Sequence, residues 1–161
     1  MSATFAFSES NGSGETVTDG ISNLNMGDVD SPNLSVSTYP VVAGNNGYEK
    51  NLRAKFSTGS GFTEISNMKF WKSAGDYVTG EALKADEVTS YVQPVKTTST
   101  RATDAIPTAV GSAITVHSAA GGATITSPGY TRYLCLQLQT TGSTPSGSLN
   151  QKTLTFQYDE V

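Results

Sequence analysis

The sequence predicts an all-β fold: a single antiparallel β-sandwich, or jelly-roll-like domain, of about 8–10 short strands spanning residues 1–161. Three observations predict it. Leu134, Leu136 and Leu138 fall at every second position, and Leu154, Phe156 and Tyr158 repeat the pattern further on. Successive side chains of a strand point to opposite faces, so each segment carries one apolar and one polar face. The composition favours strands and turns, with 42 Ser and Thr, 16 Gly and only 15% charged residues. Gly, Pro, Asn and Asp clusters punctuate the apolar runs at short intervals.

Taken in order, residues 3–8 read as a first strand with Phe5 and Phe7 on one face. Residues 16–18 read as a short strand before the tight-turn dipeptide Asp19-Gly20, and residues 21–26 as another. Turn clusters then fill residues 27–47, an ordered loop from which Val41 and Val42 are expected to reach the core. Residues 48–57 form a strand with Leu52, Ala54 and Phe56 on one side and Asn51, Arg53 and Lys55 on the other. After a turn at residues 58–61, residues 62–72 are expected to pair with it, Met68 and Phe70 pointing inward. Residues 80–88 hold several helix formers but are too few for a stable isolated helix. Strands are expected at residues 88–95, 113–116 and 123–126, with an exposed loop at residues 97–104, where apolar periodicity is lacking. Residues 130–139 and 152–159 then read as one long antiparallel pair joined by a Gly/Ser/Pro-rich loop, the second being a closing strand.

Charge and cysteine content exclude several function classes. The net charge is −4, and the ten Lys and Arg are scattered without a basic run, which argues against a nucleic-acid partner. There is no apolar stretch of about twenty residues and no charged-plus-apolar leader, so neither membrane insertion nor export is expected. The single cysteine, Cys135, has no intrachain partner, which fits folding in a reducing cytoplasm.

Candidate sites are few. His117 is the one histidine, and the apolar Ile114 and Val116 beside it place it on the surface at a strand end. With no Gly-x-Ser-x-Gly elbow and no local Cys–His pair, the expectation is a protein that is not an enzyme. Asp28, Asp30 and Asn33 put three oxygen-bearing side chains in one loop, a weak calcium possibility; the EF-hand pattern is missing, and loop Asp commonly bonds its own backbone. Trp71 and Tyr77 flank a turn; they could form a sugar platform, a protein interface, or part of the core.

Three segments carry a family likeness: Tyr48-Glu-Lys-Asn-Leu-Arg-Ala-Lys-Phe56, Glu64-Ile-Ser-Asn-Met-Lys-Phe-Trp-Lys72 and Gln151-Lys-Thr-Leu-Thr-Phe-Gln-Tyr-Asp-Glu-Val161. In these, and in its Thr/Gly-rich, nearly Cys- and His-free style, the chain resembles the small β-sandwich virion proteins of tailed bacteriophages and related viruses. Capsid decoration (cement) proteins are the most similar. The resemblance implies a non-enzymatic structural protein, made in the host cytoplasm, that binds the outer surface of the head. Its partner would be the major capsid protein, whose subunit contacts it stabilises, often as a homotrimer. Residues 27–46, residues 97–107 and the N-terminal segment are the expected contacts. A tail, baseplate or fibre-associated sandwich and a carbohydrate-binding module are the rival classes.

Overall fold

Alternation decides which side chains enter the core. The computed structural model describes residues 2–58, 61–147 and 149–161. Among them are nine strands: β1 (Thr4–Asn11), β2 (Thr16–Asp19), β3 (Lys50–Ser57), β4 (Ile65–Ala74), β5 (Glu81–Val88), β6 (Ile114–Thr115), β7 (Gly129–Tyr130), β8 (Tyr133–Thr140) and β9 (Thr153–Glu160). The larger sheet runs β2-β1-β3-β8-β5, with β7 beside β3, and the smaller runs β6-β4-β9. Every strand pairing is antiparallel. This is the all-β sandwich the periodicity predicts.

The two sheets face each other across one apolar core. Leu52, Ala54 and Phe56 of β3, Leu83 and Ala85 of β5, and Leu134 and Leu136 of β8 meet Ile65, Met68 and Phe70 of β4. Burying such side chains contributes roughly 1.5–3 kcal/mol each. Toward one side the core turns aromatic: Phe5 stacks on Phe156 at 5.6 Å, and Phe56 meets Tyr158 edge-on at 4.9 Å. These contacts join β1 and β3 to β9 across the layers.

Several expectations about neighbours are corrected. The segments read as one closing pair, β8 and β9, lie in opposite sheets: β8 pairs with β3 and β5, and β9 pairs with β4 through Phe70↔Phe156. The strands β3 and β4 are likewise separated, because the chain crosses between layers after Ser57. Alternation specifies which face is apolar, and a strand facing its sequence neighbour across a core satisfies it as well as one beside it. The turn expected at residues 58–61 and the loop at residues 140–151 include Gly59, Ser60 and Ser148, which lie outside the described residues. Residues 81–88 are strand throughout, since Leu83 and Ala85 supply an inward face that overrides helix propensity. Residues 21–26 form no strand, yet Ile21, Leu24 and Met26 still pack against the core. Ile125 contributes only a single bridge, to Ile65. Val41 is half-buried, but Val42 points to solvent. Among the described residues no helix is long and apolar enough to cross a membrane.

Candidate interaction surface

The face of the larger sheet that points away from the core is polar, and it is covered. Asn51 of β3 and Cys135 and Gln137 of β8 are fully buried there, although none of them faces the other sheet. Residues 89–105 lie across them, held mainly by hydrogen bonds, with Tyr91 packed on Tyr133 and Ala102 buried. Gln137 accepts from the Ser99 N–H at 2.8 Å and donates to Thr97 O at 2.8 Å. Ser99 Oγ donates to the buried Glu49 carboxylate. The Arg101 guanidinium donates to Asn51 Oδ1 at 2.7 Å and lies 3.5 Å from Glu49 Oε2. Further along, Asp86 Oδ2 accepts from the N–H groups of Thr103 and Asp104. Residues 97–104 form no strand and are exposed at Thr97, Thr98, Thr100, Thr103 and Asp104, as expected of a loop, but they are strapped to the sheet with Ser99 and Ala102 buried against it. A polar sequence without periodicity can be buried when every polar group finds a partner.

The loop of residues 20–49 meets this strap. Lys96 pairs with Asp28, and Asn46 Nδ2 donates to Thr98 Oγ1 at 3.2 Å. Within the loop, the Asp28 N–H donates to Tyr39 O and the Tyr48 N–H to Gly27 O, so it is internally braced. The two stitched segments turn apolar residues outward: Val36, Tyr39, Val42, Val92 and Val95 are all 40–59% exposed. Between them runs a shallow depression lined by Gly44, Asn45, Asn46, Lys96, Thr97 and Thr98.

The residues singled out from the sequence do not converge. Asp28 is engaged by Lys96; Asp30 accepts from Asn11 Nδ2 at 2.7 Å and from the Gly12 N–H at 2.8 Å; Asn33 Oδ1 accepts from the Ser22 N–H at 2.7 Å. Their oxygens serve separate protein partners, Lys96 for Asp28, Asn11 and Gly12 for Asp30, and Ser22 for Asn33, a poor fit to a shared calcium ion. Trp71 is not in the core; it lies half-buried on the outward side of β4, opposite Thr155. Tyr77 is exposed, with the Lys72 and Lys152 ammonium groups 4.8 Å and 5.3 Å from its ring. Partial desolvation of the ring by its neighbours, then the nearby Glu81 charge, raises its phenol pKa. His117 is half-buried rather than free at a strand end: its Nδ1 lies 2.9 Å from Glu87 Oε2, and its backbone N–H donates to Glu87 Oε1. Arg132 Nη1 lies 3.5 Å from the same carboxylate. Cys135 sits on the polar face of β8 as expected, and burial pushes its thiol pKa up to about 12. Such a thiol stays protonated and inert at neutral pH.

Sequence reasoning missed the buried charges. Glu9 and Lys50 form an ion pair of 2.8 Å with both side chains sealed from solvent, and Glu49 is buried beside the strap. The signal was present in the alternation: Glu9 has the parity of Phe5 and Phe7, and Lys50 that of Leu52, Ala54 and Phe56. The chain matches no protein-family model, no curated protein and no solved structure.

Proposed function

We propose that this protein is a non-enzymatic virion component, a capsid decoration protein that docks on the outer surface of the head and bridges major capsid subunits. The observation that carries the reading is the distribution of polar and apolar groups. The broad polar face of the larger sheet is spent internally, on the strap, while the two stitched segments turn valines and Tyr39 to solvent. A braced, shallow, partly apolar surface suits repeated docking on a lattice of identical partners, where many modest contacts add up. Among the described residues the strand β9 borders only β4, which leaves its other edge to meet a neighbour's strand. Homotrimerisation on the shell belongs to the same proposal. A glycan-binding reading is weaker, because Tyr77 is attended by two ammonium groups and Trp71 has no ring partner among the described residues.

The test is co-sedimentation of the purified chain with expanded shells that lack it. Wild type pellets with shells in a saturable, stoichiometric manner, and Val42→Asp or Tyr39→Ala weakens binding about tenfold, as loss of a central contact does. Failure to bind any shell or virion fraction, with binding to a polysaccharide that Tyr77→Ala abolishes, contradicts the proposal.

A further inference from the structure

The core departs from apolar packing where β1 and β3 run out beneath the long loop. Glu9 and Asn11 extend the inward row of Phe5 and Phe7, and Lys50 extends that of Leu52, Ala54 and Phe56. The β1–β3 register runs from Thr4↔Ser57 to Ser10↔Asn51, so its next step sets Asn11 opposite Lys50. Opposite residues of an antiparallel pair hold their Cβ atoms about 4.5–5.5 Å apart, within reach of a folded lysine. Glu9 and Lys50 are 0% exposed and Asn11 is 6% exposed.

The three side chains share one oxygen. Lys50 Nζ and Asn11 Nδ2 each donate to Glu9 Oε1 at 2.8 Å. The other Asn11 amide hydrogen goes to Asp30 Oδ1 at 2.7 Å, and Lys50 also donates to Ser31 O at 2.8 Å. Two neighbouring oxygens, Glu9 Oε2 and Asn11 Oδ1, are buried with no donor. A proton on Glu9 Oε2 directed at Asn11 Oδ1 gives both a partner and completes the acid–amide ring that the Nδ2–H···Oε1 bond begins. Burial favours that proton: desolvation is the largest influence on Glu9 and raises its pKa, with Lys50 opposing.

We propose that Asn11 and Lys50 become joined by a spontaneous intramolecular isopeptide bond, with Glu9 as the proton shuttle. The Lys50 ammonium passes one proton to Glu9, and the freed amine attacks Asn11 Cγ while the Glu9 acid polarises Oδ1. In the tetrahedral adduct Glu9 relays a second proton from Nζ to Nδ2. The Cγ–Nδ2 bond breaks, ammonia leaves, and the Nζ–Cγ amide bond remains. One ammonium, one carboxylate and one carboxamide thus become one secondary amide, one carboxylic acid and one ammonia, without oxidant or cofactor. Confinement against a single carboxylate supplies the proximity that amide aminolysis lacks in water. The product also removes an ion pair from the interior, where charges are costly. It ties β1 to β3 covalently at the edge of the core.

Intact-mass spectrometry of the full, folded chain tests this. Wild type is expected to be lighter than its sequence by one ammonia, and proteolysis is expected to yield a branched peptide joining Asn11 to Lys50. Glu9→Gln and Lys50→Met are both expected at full sequence mass, with circular dichroism confirming that Glu9→Gln keeps the native fold. Asn11 precedes Gly12, so a succinimide would also release ammonia. That route does not need Lys50, and ammonia loss persisting in Lys50→Met overturns the proposal. Natively folded wild type at full sequence mass after prolonged incubation at neutral pH overturns it as well, as does loss of water with a bridge to Asp30.

Discussion

At the residue scale, the decisive positions are charged side chains that the alternation carries inside. Lys50→Met leaves Glu9 sealed in the interior without its partner and abolishes the proposed β1–β3 cross-link, so it is expected to cost about 3–5 kcal/mol in urea unfolding at neutral pH. The pH dependence has a definite sign. The folded-state pKa of Glu9 is raised, so the native protein binds its proton more tightly than the unfolded chain. That contribution is full below the ordinary carboxylate value and is lost as pH rises through the folded pKa. Removing Lys50 removes the influence that lowers the Glu9 pKa, so the deficit of Lys50→Met grows as pH rises above the ordinary carboxylate value. Asp19 behaves oppositely: hydrogen bonds from Lys55 and then Ser8 lower its pKa, so its stabilisation is present above the ordinary carboxylate value and is lost as pH falls through the folded pKa. Its exposure keeps that contribution small. Cys135 gives a cleaner readout. With its thiol pushed up to about 12, alkylation by iodoacetamide is expected to track global unfolding, and rapid labelling of native protein would contradict its burial. Its place on the polar face of β8 was legible from Leu134 and Leu136 alone; the burial of that face was not.

At the element scale, periodicity revealed which residues are strands more fully than which strands are neighbours. Residues 4–8, 50–57 and 68–72 alternate and are strands, with the predicted side chains inward, while a bulge at Asn67 brings Ile65 inward as well as Met68. The pairing of β8 with β9 was misread because the same pattern fits two strands side by side or face to face. The strap was illegible for a different reason. Its order comes from hydrogen bonds to Glu49, Asn51 and Gln137, contacts 38 to 50 residues away that leave no periodic trace. Arg101→Ala leaves Glu49 without its cation, with an expected cost of about 1.5–3 kcal/mol. Amide exchange should speed up in residues 89–105 before it does in β3 or β8. Uniform acceleration across the sandwich would show instead that the strap is not a separate unit. The connection from β4 to β5 makes a further demand. Gly75 has φ +92°, and a Cβ there would lie 2.2 Å from Gln151 O. Gly75→Ala is therefore expected to destabilise by more than ~1 kcal/mol in thermal unfolding.

At the scale of the whole molecule, the sandwich is a scaffold that spends its polar residues on itself and presents loops. The contact role proposed for residues 27–46 would rest on the exposed Val36, Tyr39 and Val42 of that braced loop. The role proposed for residues 97–107 would fall to their exposed positions, Thr97, Thr98, Thr100, Thr103, Asp104 and Ala105, with Val92 and Val95 beside them. Thr153, Thr155 and Gln157 of β9 do not form one polar surface with Gln137 of β8, because Gln137 is buried in the other sheet. Function was less legible than fold because a docking surface has no spacing rule comparable to the two-residue period of a strand. Capsid decoration, as proposed, fixes where this chain sits in a particle. Cryo-electron microscopy of the intact particle is expected to show density for this sandwich on the outer face of the head, with the 27–46 loop and the strap against major capsid subunits. Particles whose heads carry no such density, or that place the chain only in the tail, would contradict it.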